Sequence, residues 1–156
     1  MAVRPIPEGY SAITPYLAVE DASSAIDFYK RAFGAKERSV MPGPGGAVMH
    51  AELEIGDSLI MLSDPFPQAS TKPPKELRGT SVSIFLYVDD IDSVYKQAID
   101  AGASSLMEPD DMFWGDRFGS VQDPYGHSWT IATHVEDVSP EEMEKRSQEF
   151  FAAMTT

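Results

Sequence analysis

The chain has 156 residues, and its 12 Lys and Arg against 25 Asp and Glu give a formal net charge of −13 at pH 7. Such acidity repels phosphate backbones and anionic lipid surfaces, which argues against nucleic-acid and membrane partners. There is no cysteine, so disulfides, thiolate catalysis and Cys-ligated metal centres are excluded. The length fits one domain over residues 1–156. No apolar run approaches the roughly 18 residues of a membrane span and no signal-peptide pattern opens the chain, so we expect a soluble, cytoplasmic protein.

A βαβββ unit is predicted over about residues 10–64. An alternating apolar run ends at Asp21, whose short side chain can cap a helix. The helical pattern that follows ends at Gly34, which suits a left-handed C-terminal position. Strand patterns then occupy residues 37–41, 48–55 and 58–63.

The same unit recurs over about residues 80–134, after a Pro- and Lys-containing linker at residues 65–79. The first strand and its acidic stop recur at a spacing of 69 residues, as in the match of Asp21 to Asp90. The turn before the last strand recurs at a spacing of 70, as in the match of Gly56 to Gly126. Ordered matches of this kind indicate two modules descended from one duplicated unit.

A C-terminal helix is predicted over about residues 139–154. Ser139 is a good cap, Pro140 fits the first helical position, and Glu142 completes a capping box. The apolar stripe of this helix needs a covering surface, which either this chain or a second copy could supply. The stripe contains Met143, Ser147, Phe150, Phe151 and Met154.

Four runs of sequence resemble the vicinal oxygen chelate superfamily of glyoxalases, bleomycin-resistance proteins and dioxygenases, and within it the PhnB-like branch. They are TPYLAVEDASSAIDFYKRAFGA, HAELEIGDSLIMLSD, FLYVDDIDSVYKQAIDAGA and WGDRFGSVQDPYGHSWTI. The resemblance covers most of the chain and implies an α+β fold, in which tandem βαβββ modules form a curved mixed sheet around a cleft. A C-terminal helix follows the second module.

The resemblance also implies where a metal ion would bind. In the enzymes of the superfamily, His early in each module and Glu or Gln late in it hold the metal. Carried over to this chain, those positions fall on Thr14 and Ser83, and on Ile60 and Thr130. Hydroxyls alone hold a divalent ion too weakly, so we expect neither metal nor another cofactor. A shift of one residue would exchange the two faces of each strand.

Strand alternation predicts the wall of the cleft as an apolar surface with a few hydroxyls. The loop at residues 113–118 adds aromatic and basic side chains that could stack on a ligand. Packing at the edge of the core, with an Arg117–Asp116 surface pair, is the other interpretation of that loop. The predicted ligand-binding residues are Thr14, Tyr16, Ile60, Leu62, Ser83, Phe85, Phe113, Trp114, Arg117, Thr130 and His134.

Each of the three histidines has a structural and a functional interpretation. Alternation places His50 opposite the cleft, on the sheet surface; the alternative is a metal patch with Glu52 and Glu54. His127 ends a turn. His134 shares the face of Thr130 and could serve there as a base or a ligand contact.

The sequence therefore predicts a metal-independent protein that binds an aromatic or cationic small molecule, resembles bleomycin-resistance proteins and forms a homodimer. No paired nucleophile and base identifies catalytic residues. The alternative is a glyoxalase- or dioxygenase-like metalloenzyme with displaced ligands. The cleft could form within one chain or between swapped chains.

Overall fold

The computed structural model describes residues 2–156, and within them it contains eight strands and four helices. The first module comprises β1 (Tyr16–Ala18), α1 (Ala22–Phe33), β2 (Lys36–Pro42), β3 (Val48–Ile55) and β4 (Ser58–Ser63). The short helix α2 (Pro74–Leu77) lies in the connection. The second module comprises β5 (Ser83–Tyr87), α3 (Ile91–Ala101), β6 (Ser104–Asp111), β7 (Asp116–Gln122) and β8 (Ser128–His134), and α4 (Pro140–Met154) follows.

The two modules repeat one topology, with strand orders β1-β4-β3-β2 and β5-β8-β7-β6. The first strand of each module pairs in parallel with the last, and the remaining pairs are antiparallel. The predicted α+β class and the duplicated βαβββ unit are therefore confirmed. Within residues 2–156 the strand pairing forms two four-stranded mixed sheets, because no ladder joins β1 to β5.

The helix boundaries follow the cap residues that the sequence predicts. The Asp21 side chain accepts from the Ser24 amide, and the Asp90 side chain accepts from the Ser93 amide. Gly34 ends α1 with a left-handed φ of 68°. Such caps satisfy amide and carbonyl groups that have no partner inside the helix.

One hydrophobic core includes residues of both modules. Helices α1 and α3 pack against each other, and the Tyr29 ring of α1 lies 5.4 Å from the Trp129 ring of β8, between centroids. Asp123, at the turn before β8, accepts hydrogen bonds from both of these side chains, at 2.6 Å from Tyr29 and 2.9 Å from Trp129. The sheet faces that lie away from the helices remain available for a functional site.

The predicted C-terminal helix is confirmed as α4, capped by the Ser139 hydroxyl. It docks on its own chain, because Phe150 packs on Phe113 at 5.1 Å and Arg146 binds Glu136. Phe151 and Met154 on the same helix stay exposed. Among residues 2–156, no helix combines the length and the apolar character needed to cross a bilayer.

Candidate functional site

Helices cover one face of each sheet, and the other face is here called the open face. The strand register shows which side chains lie on which face. In the first module Leu17 is paired with Leu62 beneath α1, and both side chains are buried. Tyr16, one residue earlier, is paired with Met61, and Met61 with Glu52. Because alternate residues point to opposite faces, these three side chains lie on the open face.

Two residues predicted on the cleft wall lie on the helix face instead. Ile60 and Leu62 are only 4% and 0% exposed, and they belong to the core under α1. The open-face residue of this strand is Met61, so the prediction that Ile60 and Leu62 share the face of Tyr16 is wrong. Ile60 does border a cavity between the modules.

The error arises because the strands of the two modules and the turns of the two modules align at spacings that differ by one residue. Tyr16 is paired with Met61, and Phe85 is paired with Thr130, so the strands repeat at a spacing of 69. The preceding turns match at a spacing of 70 because the turn before β8 is longer. A one-residue shift moves a strand's whole side-chain set to the other face.

His50 also lies on the open face, contrary to the prediction. Its Nδ1 is 3.1 Å from the Tyr16 hydroxyl, and its Nε2 is 3.3 Å from a Glu52 oxygen. The Tyr10 side chain and the Arg38 guanidinium cover the other side of Glu52, and Arg38 lies 5.1 Å from the Tyr10 ring centroid. Burial, reinforced by the Glu52 carboxylate, raises the pKa of Tyr10 to about 12.

In the second module the predicted open-face residues do share one face. Ser83 is paired with Ser128, Phe85 with Thr130, and Asp116 with His134. The Thr130 hydroxyl lies 3.0 Å from the Ser83 hydroxyl and 3.3 Å from the Ser120 hydroxyl. This hydroxyl cluster can donate to a ligand and accept from it.

Aromatic side chains flank the hydroxyl cluster. The rings of Phe85 and Tyr87 lie 5.0 Å apart, and these residues are 48% and 60% exposed. Trp114 packs edge-on against Phe118 at 5.3 Å, and both are half-buried. Phe113 lies between Trp114 and Phe150 of α4. The aromatic loop at residues 113–118 therefore packs on the sheet and also contacts α4.

Arg117 is on the helix face, away from the ligand contact that was predicted for it in the loop at residues 113–118. Its Nε and Nη2 each bind Asp92 of α3 at 2.9 Å, and Nη1 lies 3.3 Å from Asp111. The hydrogen bonds that Arg117 donates to these carboxylates, Asp92 first, raise its pKa further above its already high range. The predicted pair with Asp116 does not form. Asp116, which precedes Arg117 on β7, points to the open face.

Asp116 is the centre of a polar network at the end of the open face. It is 4% exposed, and it accepts from the Tyr87 hydroxyl at 2.9 Å and binds His134 Nδ1 at 2.8 Å. His134 Nε2 lies 2.8 Å from Asp137. Hydrogen bonds to Asp137, and then to Asp116, raise the pKa of His134. The hydrogen bond to Asp116 raises the pKa of Tyr87.

Tyr87 and Asp116 are not among the predicted ligand-binding residues, although the sequence carries a signal for Tyr87. Tyr87 follows Phe85 by two residues, and strand alternation alone puts it on the same face. The pairing of Asp116 with His134 depends on the register of β7 against β8, which composition does not reveal.

Two cavities lie beside β5, and Phe85 borders both. The first, of about 580 Å³, includes Thr14, Ile60, Phe85 and Tyr87 in its lining. The second, of about 530 Å³, includes Tyr16, Ser83 and Phe85, together with Lys72 and His127. Both volumes are in the range of pockets that hold a drug-sized molecule.

Comparison with known proteins assigns the family. A model described as the Glyoxalase/Bleomycin resistance protein/Dioxygenase superfamily matches residues 11–131. The chain belongs to this superfamily. An uncharacterized protein of Mycobacterium bovis is 43% identical over 136 residues, which cover 85% of this chain and 90% of that protein. An uncharacterized protein of Mycobacterium tuberculosis H37Rv matches at 43% identity over 136 residues, covering 85% of this chain and 80% of its own length.

Several solved structures share the fold of this chain. TioX from Micromonospora sp. ML1 has a TM-score of 0.64 and 26% identity, covering 80% of this chain and 99% of its own. A PhnB protein from Bacillus cereus has a TM-score of 0.63 and 22% identity, covering 79% and 99%. A glyoxalase/bleomycin resistance protein/dioxygenase from Nocardioides has a TM-score of 0.61 and 21% identity, covering 90% of both chains. At their identities the last two support the fold alone.

The metal site of the superfamily's enzymes does not fit the residues of this chain. With the corrected register its four positions are Thr14, Met61, Ser83 and Thr130, which offer hydroxyls and one thioether. Hard divalent ions prefer carboxylate or carbonyl oxygens to such donors, and transition metals of the kind held by imidazole prefer nitrogen. Across residues 2–156, no group of three or more His, Cys, Asp or Glu side chains is placed to hold a metal ion.

Proposed function

We propose that this member of the superfamily is a metal-independent protein that binds an aromatic or cationic small molecule. The observation that carries the proposal is the open face of the second module. There the hydroxyl cluster of Ser83, Ser120 and Thr130 lies beside the exposed rings of Phe85 and Tyr87. Apolar area supplies affinity in such a site, and a few hydroxyls orient the ligand.

The chemistry of the four carried-over metal positions supports independence from metal. Neither sheet presents His, Glu or Gln at those positions, and Met61 replaces the expected acid in β4. The ligand would be held by burial and hydrogen bonds, so a chelator should leave its affinity unchanged. A nucleophile paired with a base is likewise missing from the hydroxyl cluster, which favours binding over turnover.

A thermal-shift screen of aromatic and cationic metabolites and antibiotics tests the proposal. A ligand at a hundred times its Kd adds about 2.7 kcal/mol to the free energy of unfolding. Hits should persist in EDTA and weaken in Thr130→Val, which removes one hydroxyl and keeps the side-chain shape. The control is Ser23→Ala, at an exposed position on α1. A broad panel without a single stabilising compound would refute the proposal.

The position of His50 favours a second candidate function. His50 and Glu52 lie on the open face of the first module with Tyr16, so two possible metal ligands share one sheet face. A metalloenzyme with displaced ligands could use them with ligands from substrate or a second chain. Stoichiometric metal in protein purified without chelator, lost together with a measured turnover in His50→Ala, would establish this function and overturn the metal-independent one.

A homodimer is part of the proposed function. The open faces expose Tyr16, Phe85 and Tyr87, and α4 exposes Phe151 and Met154. Exposed apolar surface of this kind is typical of interaction sites. A second copy could complete the ligand site or cover α4.

A further inference from the structure

We infer that the ligand carries a positive charge, and that its cationic group binds against Phe85 and Tyr87 in the larger cavity. This inference depends on the proposed binding function and narrows it to one class of ligand. It assigns specificity to three residues: Tyr87, Asp116 and Asp57.

The formal charge in the lining of the larger cavity is negative. Of its lining residues within the described chain, Asp57 alone carries a formal charge. The smaller cavity differs, because Lys72 and His127 contribute to its lining. In a chain with a net charge of −13, a cation is attracted both by the whole molecule and by this cavity.

The aromatic pair gives the cation a local binding surface. The rings of Phe85 and Tyr87 are 5.0 Å apart and both are exposed, and the cation–π contact found within residues 2–156, of Arg38, is with Tyr10 and not with this pair. An ammonium or guanidinium group within about 6 Å of such a ring is attracted to its negative face. A neutral group of the same shape gains only contact area.

Asp116 strengthens this attraction through Tyr87. Its buried carboxylate accepts the Tyr87 hydroxyl at 2.9 Å. A phenol that donates to a carboxylate becomes more electron-rich, and hydrogen bonds of this kind polarise their partners in a low dielectric. Tyr87 therefore offers a cation a more negative ring than a phenol bonded to water.

The network of Asp116, His134 and Asp137 has a negative net charge even when His134 is protonated. His134 lies between Asp116 and Asp137, and the adjacent Glu136 pairs with Arg146 of α4. The only Arg of β7, Arg117, points to the other face and is held by Asp92 and Asp111. The network that accepts the Tyr87 hydroxyl thus contains two carboxylates and one imidazole.

The test compares two probes of nearly equal shape, phenyltrimethylammonium and its neutral isostere tert-butylbenzene. Binding is measured by NMR titration of the full-length protein, following the amides of Phe85 and Tyr87. We expect the cation to bind about fivefold more tightly, since a cation–π contact contributes about 0.5 to 1 kcal/mol at an exposed ring and the two rings act together. Selectivity is the ratio of the two dissociation constants. Because the probes have nearly the same shape, the contribution of shape cancels in this ratio.

Variants locate the source of the selectivity. Tyr87→Leu should lower the ratio while Phe85 and Asp57 retain part of it, and Asp57→Asn should weaken only the cation, by about two- to fivefold. Asp92→Asn removes the same charge on the helix face and should change neither affinity by as much as twofold. Tyr87→Phe keeps the ring but breaks the bond to Asp116, so its ratio should be intermediate.

The outcomes separate the inference from the proposed function. Equal affinity for the two probes overturns the cationic ligand and leaves a small-molecule site standing. No binding of either probe, with no hit in the broad screen, overturns both. Equal losses in Asp57→Asn and Asp92→Asn would assign the preference to net charge rather than to this cavity, which also overturns the inference.

Discussion

The buried Asp123 carboxylate accepts four hydrogen bonds, and the one from Tyr29 joins the second module to the first. Its Oδ2 accepts from the Tyr29 hydroxyl and the Trp129 indole, and its Oδ1 accepts from the amides of Tyr125 and His127. Burial, and then the Asp123 charge, raise the pKa of Tyr29. The DPYG turn at residues 123–126 lies in one of the four runs that carry the family resemblance. It thus also holds α1 of the first module.

Replacing Asp123 should destabilise the whole fold. Asp123→Ala leaves the buried Tyr29 and Trp129 donors without an acceptor, and we expect a loss of about 3 kcal/mol in the free energy of unfolding. Urea unfolding measures it. The control is Asp27→Ala, at an exposed position on α1, which should lie within about 0.5 kcal/mol of the parent protein. A small loss in Asp123→Ala would show that water replaces the carboxylate.

His134 should make stability depend on pH. Its folded pKa is raised by Asp137 and Asp116, whereas the unfolded value is about 6.5. The protonated form therefore stabilises the fold fully below pH 6.5, and this contribution is lost as the pH rises through the higher folded pKa.

We expect His134→Gln to lower stability at pH 6 and to lower it less at pH 9, as measured by urea unfolding at both values. An NMR titration of the imidazole should give a pKa above the usual range, and Asp137→Asn should move it back towards that range. An effect of His134→Gln that is equal at the two pH values would contradict this interpretation.

At the scale of elements, the turns that end helices and strands decide which faces meet. Gly115 lies between β6 and β7 with a φ of 101°, and its carbonyl accepts from the amides of Val135 and Glu136. This contact places the segment that leads to α4 across the aromatic loop. A side chain at Gly115 would clash with the Glu136 carbonyl oxygen.

The matched pair Gly115→Ala and Gly46→Ala separates this clash from backbone strain. Gly46 also has a positive φ, of 81°, but open space surrounds the position of its missing side chain. Both variants carry the strain, of about 1 kcal/mol, and only Gly115→Ala adds the clash. We expect Gly115→Ala to lose at least about 1 kcal/mol more free energy of unfolding. Equal losses would show that the loop shifts freely.

At the scale of the whole molecule, α1 and α3 form the contact between the modules and leave both open faces uncovered. Arg31 of α1 donates to the Ala101 carbonyl, and Gln97 of α3 donates to the Arg31 and Ala32 carbonyls. These bonds and the common core join the modules through their helices. The two cavities beside β5 are lined by residues of both modules.

The homodimer is tested on the whole molecule by light scattering after size exclusion. We expect twice the chain mass of 17.1 kDa. The double variant Phe151→Ser, Met154→Ser should shift the mass towards the monomer if α4 forms the interface, while Phe150, which packs on Phe113, is left in place. A monomeric parent protein would contradict the predicted homodimer.

The sequence by itself determined the repeat, the helix caps and the C-terminal helix. These features depend on neighbours a few residues apart, such as Asp21 with Ser24 and Ser139 with Glu142. The open face of the second module was also predictable, since Ser83, Phe85, Thr130 and His134 follow strand alternation.

Only the tertiary structure decided the register of β4 against β1, and with it the faces of Ile60, Met61 and His50. It also decided that Arg117 binds α3 and that Asp116 joins Tyr87 to His134. Each of these contacts joins residues from different strands or helices. Side chains of a strand alternate between the two sheet faces with a period of two residues. A loop that is longer by one residue therefore moves every side chain of the next strand to the opposite face, although the local composition is unchanged.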